Sequence, residues 1–198
     1  KVAPRYDIVW RAHRGEPVKD ILADYSGGMV YYEGLNHIGC PTVTRYEIEK
    51  THRLILLSTP PAPALFRELI LVSGAREVVL GFGDESGQSI NHFLRQLQGL
   101  LKYTITHRGG VVSIEELSTV LGATEEFVEI CLIYLEGRGF IDYIWDAKDK
   151  LTIYRGTKRR QDKRTESLLN RSFSEMMSFK RYMYRQETQK IYNLVTRV

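Results

Sequence analysis

Residues 53–82, RLILLSTPPAPALFRELILVSGAREVVLGF, constrain the fold more than any other stretch of the chain. They hold two short apolar runs, RLILLS (53–58) and REVVLGF (76–82), each bounded by turn residues. Runs of that kind read as strands, and runs with little polar alternation read as buried ones. Between them Leu65, Phe66, Leu69, Ile70 and Val72 make an apolar face at helical spacing, preceded by prolines and followed by Gly74. Proline is tolerated in a first helical turn, and glycine stops a helix. Strand, helix and strand over roughly 30 residues form a βαβ unit, which demands a parallel pair joined by a right-handed crossover. The first half is therefore expected to be α/β with a small, mostly parallel sheet.

Further strands are expected at GMVYYEG (28–34) and, half-exposed, at the alternating TVTRYEI (42–48). The chain opens on lysine, and YDIVW (6–10) is already strand-like. This reads as a piece cut from a longer protein.

GDESGQ (83–88) is polar and glycine-bearing, a linker by composition. Beyond it the period becomes helical, with Ile90, Phe93, Leu94, Leu97, Leu100, Leu101 and Ile105 three and four apart. HRGG ends that helix. Ser113 fits an N-cap with Glu116 completing a capping box, and Thr124 fits a second cap with Phe127 in place of the acid. GFIDYIW and KLTIYRG flank DAKD, which reads as a β-hairpin. Three helices and a hairpin are the winged-helix plan. A wide apolar face at Leu168, Leu169, Phe173, Met176, Met177, Phe179 and Tyr182 then predicts a long terminal helix. The expected organisation is an α/β domain over 1–85, a winged-helix-like domain over 86–156, and a basic linker with a C-terminal helix over 157–198.

Composition enters as exclusion. Hydrophobic residues are 43% and charged residues 26%, so most of the chain should be ordered. A continuous apolar run long enough to span a bilayer is missing, as is a signal peptide, so no membrane role is expected. The two cysteines, Cys40 and Cys131, fit free thiols and a cytoplasmic location. The histidines are scattered, and NHIGC offers only His37 and Cys40, too few ligands for zinc. Phosphate-cradling glycine loops and the nucleophile-elbow motif are absent from the sequence. No catalytic residue, metal ligand or cofactor is nominated. STPP, after the strand ending at Ser58, stands where α/β sheets often bind ligands, although tight proline turns explain it equally.

Charge gives the sharpest constraint on function. From Ser113 to Gly137 there are six glutamates and no lysine or arginine. Val128, Cys131, Leu132 and Leu135 make a buried stripe, which leaves Glu125, Glu126 and Glu129 outside on the helix that would enter a DNA groove. Carboxylates facing phosphates are repelled, whereas glutamate at a helix N-terminus complements the macrodipole. This helix is expected to pack or to meet protein. The segment from Arg155 to Arg164 is the opposite, with six basic residues against one acid. Lys148, Lys150, Arg155, Lys158, Arg159, Arg160, Lys163 and Arg164 are the candidate phosphate contacts. Tyr143, Trp145 and Tyr154 offer stacking faces for single-stranded bases. The same features also read as a solvated linker beside core aromatics.

LILLSTPPAPALFRELILVSGAREVVLGFGDE, then LKYTITHRGGVVSIEELSTVLGATEEFVEICLIYLEGRGFI, then SFKRYMYRQETQKIYNLV together resemble the C-terminal region of bacterial RecJ, from about Met29 onward. The first residues, KVAPRYDIVWRAHRGEP, match that pattern less clearly. The resemblance implies a parent enzyme that is a metal-dependent, single-stranded-DNA-specific 5′-to-3′ exonuclease of the DHH phosphoesterase superfamily. Its metal ligands belong to an N-terminal core, and this sequence contains no Asp-His-His motif, so none is carried over. What it implies here is a non-catalytic accessory region in DNA repair and recombination. Its partners would be single-stranded DNA, single-stranded-DNA-binding protein and the catalytic core of the parent chain. Two other readings stand beside it: a winged-helix transcription regulator with an α/β ligand-sensing half, and a pure protein-interaction module.

Overall fold

The structure, a computed structural model, describes residues 8–85, 87–147, 149–157 and 163–196. In chain order they form strand β1 (Val9–Ala12), helix α1 (Val18–Asp24), strands β2 (Met29–Tyr31) and β3 (Arg53–Leu56), helix α2 (Pro63–Ser73) and strand β4 (Glu77–Leu80). Then come helix α3 (Ile90–His107), strand β5 (Val111–Ser113), and helices α4 (Ile114–Leu121) and α5 (Glu125–Gly137). Strands β6 (Ile141–Trp145) and β7 (Lys150–Arg155) and helices α6 (Lys163–Arg185) and α7 (Thr188–Thr196) complete the order. The chain is mixed α/β, with a four-stranded parallel sheet and a three-stranded antiparallel one. Two compact units result: unit 1 from the described residues of Lys1–Ser86 and Met177–Val198, unit 2 from those of Gly87–Met176. The expected separate segment 157–198 is thus divided, because the two halves of α6 bury their apolar residues in different units.

Unit 1 is built on the parallel sheet, in the order β1-β4-β3-β2. Its central strands lack polar alternation because both faces are covered. Leu54, Leu56, Val78 and Leu80 pack with Phe66, Leu69 and Ile70 of α2 and with Met183 and Ile191. Ile55 and Val79 face the other way, onto Ile21 of α1. Helix α2 opens on Pro63 and closes at Gly74, whose φ of 56° is left-handed. Its buried face runs through Ser73, whereas Val72, expected inside, points to solvent.

Three further expectations change in unit 1. Helix α1 was not anticipated over residues 18–24, although Val18, Ile21 and Leu22 have helical spacing behind Pro17. TVTRYEI contributes one bridge, Tyr31 to Val43, rather than a strand. The Glu47 carboxylate draws it into a turn, accepting from the Thr44 N–H (2.8 Å) and hydroxyl (2.9 Å), while Arg45 is recruited by Glu33. The long C-terminal helix breaks after Arg185. There the Arg14 guanidinium donates to the carbonyls of Met183, Tyr184 and Gln186, satisfying acceptors that a helix end leaves open.

Unit 2 starts with α3, capped by the Ser89 hydroxyl accepting from the His92 N–H. Ser113 caps α4 through the Glu116 N–H (3.0 Å), and Thr124 caps α5 through the Phe127 N–H (3.2 Å). The capping box itself is half formed, since the Glu116 carboxylate pairs with Arg108. The core gathers Phe93, Leu97 and Leu101 of α3 with Phe127, Val128, Cys131, Leu132 and Leu135 of α5, all buried. Phe173 of α6 joins Phe93 and Phe127 in a ring cluster, while Leu168, expected on the apolar face, is exposed. The hairpin β6–β7 is antiparallel, and the unanticipated β5 extends it in the order β5-β7-β6. Gly110 permits that pairing: its φ is 86°, and a Cβ there would stand 2.5 Å from the Ile153 carbonyl oxygen.

Candidate nucleic-acid interface

Among the described basic residues nominated from sequence, Lys150 and Arg155 lie apart. Lys150 opens β7 opposite Ser113, and Arg155 ends the same strand opposite Ile141. An odd separation along a strand puts the two side chains on opposite faces. Lys163 and Arg164 are exposed at the start of α6. Lys148, Lys158, Arg159 and Arg160 lie outside the described residues. The aromatic residues differ from one another too. Tyr154 and Trp145 are exposed, but Tyr143 is half-buried. Burial first, then the Glu136 and Glu129 carboxylates, push the Tyr143 hydroxyl pKa up, so this ring neighbours the acidic helix α5.

What the structure does assemble is a groove of about 320 Å³ within unit 2. One wall is α3, which presents Leu101 and Ile105 as floor and Gln98, Lys102 and Thr106 as a polar rim. The other wall is Phe140, Ile141 and Arg155, where β6 begins and β7 ends. Arg155 is therefore the nominated residue that the fold places in a concave site. None of the described residues lining the groove is acidic. Phe140 is 58% exposed, the most of any large hydrophobic residue described.

That exposure is built in by the backbone. The Phe140 N–H donates to the Leu135 carbonyl (3.0 Å), and its own carbonyl accepts from Gly156 (3.3 Å). Gly156 lies so close to the preceding loop that a Cβ would stand 2.4 Å from the Gly139 carbonyl oxygen. The ring is held out by fixed main chain rather than left on a loose loop. Reading the sequence missed Gln98, Lys102 and Phe140. The available signals were the polar stripe at 98, 102 and 106 beside the apolar face of α3, and a phenylalanine lodged in a turn.

Helix α5 carries the opposite sign. Glu126 and Glu129 are exposed and Glu125 half-buried, while Val128, Cys131, Leu132 and Leu135 are fully inside. Burial pushes the Cys131 thiol pKa far up, so it stays a neutral core group.

At the carboxyl ends of the parallel strands in unit 1, where STPP lies, the protein's own polar groups are buried and joined by hydrogen bonds and ion pairs. Ser58, Thr59, Pro60 and Pro61 are buried. The Ser58 hydroxyl accepts from the Glu33 N–H (2.8 Å), and Glu85 accepts from the Thr59 N–H (3.3 Å) while pairing with Lys180. Glu33 pairs with Arg45. Burial works against the Arg45 charge, and the Glu33 carboxylate more than offsets it, holding the pKa above its ordinary value. The Tyr31 hydroxyl lacks a hydrogen bond of good geometry. Its pKa is pushed up by burial and then by the Glu33 charge beside it. These groups tie strand ends together.

Among the described residues no group of three or more His, Cys, Asp or Glu side chains is placed to hold a metal, and no helix is long and apolar enough to cross a membrane. Compared with family models, with curated proteins and with solved structures, the chain finds no match.

Proposed function

We propose that this chain is a non-catalytic accessory region of a RecJ-like, single-stranded-DNA-specific exonuclease, and that unit 2 is a winged-helix-type domain touching DNA away from its third helix. The order α3-β5-α4-α5-β6-β7, with strands arranged β5-β7-β6, supports the winged-helix reading. The observation that carries the functional one is the separation of charge in unit 2. The exposed N-terminal end of α5 is acidic, whereas the groove between α3 and the hairpin base is rimmed by Lys102 and Arg155. A groove-reading helix needs donors at that end to reach base edges and phosphates. With glutamates there, DNA contact falls to the basic groove and to the sequence-basic run 155–164, and α5 is left to face protein. Single-stranded-DNA-binding protein and the parent's catalytic core are the partners this reading supplies.

The test is binding of a labelled single-stranded oligonucleotide to the chain, followed by anisotropy. Affinity should fall steeply between about 50 and 200 mM salt as phosphate counterions are released and recaptured. Replacing Lys158, Arg159 and Arg160 with glutamate should abolish it. Unchanged binding in that triple variant removes the DNA part of the proposal. A duplex selection that returned a consensus sequence would favour the transcription-regulator reading instead.

A further inference from the structure

We propose that the groove of unit 2 is a nucleobase subsite, in which one unstacked base of a single strand lies against Phe140 while Lys102 and Arg155 hold the flanking phosphates. The inference rests on the single-stranded-DNA reading above and specifies where and how a base is taken.

Size comes first. Ligand clefts run from about 300 to 1,000 Å³. At about 320 Å³ this groove is at the small end, suited to one flat ring and its backbone rather than to a helix or a duplex. Chemistry comes next. Leu101, Ile105 and Ile141 give an apolar floor, and Phe140 offers an exposed ring face. Apolar floor, aromatic face and cationic rim are the combination by which single strands are held without sequence reading. Gln98 adds a side-chain amide able to donate to or accept from a base edge.

The sign of the rim favours an anionic occupant. The chain's own segment 158–162 reads KRRQD, of the same net sign as Lys102 and Arg155. A duplex would need the groove-entering helix that α5, with its glutamates, does not supply. An acidic peptide carrying an aromatic residue matches the charge. A base, however, offers a larger flat face to the exposed Phe140 than a peptide side chain on a flexible backbone does. A strand also carries phosphates on both sides of that base to meet Lys102 and Arg155. The Phe140 main chain is held at both its N–H and its carbonyl, which lowers the backbone ordering cost of stacking.

The experiment compares an oligothymidylate with an abasic deoxyribose-phosphate strand of equal length, bound to the whole chain at low salt. Wild type should prefer the thymidylate by about tenfold, the value of one base–aromatic stack. Phe140→Ala should bring thymidylate affinity down to the abasic level and leave abasic binding as it was. Phe140→Trp should retain the preference, which separates stacking from damage to the fold. Lys102→Glu with Arg155→Glu should weaken both strands alike.

Salt-dependent binding with no base preference, or a preference that survives Phe140→Ala, overturns the subsite and leaves the broader reading standing. Salt-dependent affinity for neither strand overturns both. If an acidic aromatic peptide competes at Phe140 while thymidylate binding ignores that residue, the groove belongs to a protein partner and the subsite is wrong.

Discussion

The two units differ in how deeply their described ion pairs are buried. Unit 1 turns ionised side chains inward: the side chains of Glu33 and Arg45 are 1% and 6% exposed, and Lys180 is 4% exposed beside Glu85. Unit 2 keeps its ion pairs outside, as in Arg108–Glu116, Arg138–Glu166 and Arg171–Glu175, around a core of Phe, Leu, Ile and Val. A buried pair is costly to break because the surviving charge has no water to return to. An exposed pair is already solvated and contributes little. Glu33–Arg45 and Glu85–Lys180 therefore act as joints in unit 1, where Arg11–Glu77 still reaches the surface, and the described pairs of unit 2 stay as available surface. Function is to be sought where the charges remain exposed.

Each unit holds one tryptophan, Trp10 in the first and Trp145 in the second, so the contrast can be read separately. Single-tryptophan variants, Trp145→Phe for unit 1 and Trp10→Phe for unit 2, supply the fluorescence probes. The largest effect is expected from Glu33→Ala, which removes the buried carboxylate that accepts from the Arg45 N–H and guanidinium. Denaturant unfolding followed at Trp10 should show a loss of about 3–5 kcal/mol. A loss below about 1 kcal/mol would mean that this pair behaves like a surface one, and the contrast would fail.

Acid is the next probe. The Arg53 hydrogen bond to Glu77 (2.6 Å), helped by the Arg53 and Arg11 charges, outweighs burial and holds the Glu77 carboxyl pKa below its ordinary value. A folded-state pKa lowered in this way stabilises above the unfolded carboxylate value of about 4.3, and the stabilisation disappears as pH falls through the folded value. The Trp10 midpoint should therefore drop on acidification below about pH 4.5, and Glu77→Gln should flatten part of that slope. A slope identical to wild type would remove Glu77 from the account.

Smaller effects belong to unit 2. Thr124→Ala removes the hydroxyl that accepts from the Phe127 N–H, and should cost about 1 kcal/mol at the Trp145 probe. Arg171→Ala deletes an exposed helix pair (2.9 Å) and should cost no more than about 0.5 kcal/mol. If Arg171→Ala proved as damaging as Glu33→Ala, burial would not be the variable that separates the units.

How much could be read in advance depended on whether the cause was local. The βαβ segment was legible because strand and helix periods differ and because Pro63 and Gly74 mark the ends of α2. The caps at Ser113 and Thr124 were legible because a cap is a hydrogen bond three residues long. TVTRYEI misled because alternation alone does not report that Glu33, twelve residues away in sequence, captures Arg45. The break between α6 and α7 was hidden for a similar reason: Arg14, which satisfies the carbonyls there, comes from the opposite end of the chain. The groove was the least visible. Lys102, Phe140 and Arg155 come from a helix, a turn and a strand, and only the register of Ile141 opposite Arg155 brings the last two together.

By itself the sequence determined the period of the βαβ segment and of α3, the ends of α2 and the caps of α4 and α5, and the sign of each charged segment, including the acidic face of α5. These follow from neighbours within a few residues. The tertiary structure alone decided which charges are sealed into pairs and which line a groove, and that Phe140 faces solvent. The physical reason is that burial, and with it the strength of every charge, is set by packing between residues far apart in the chain.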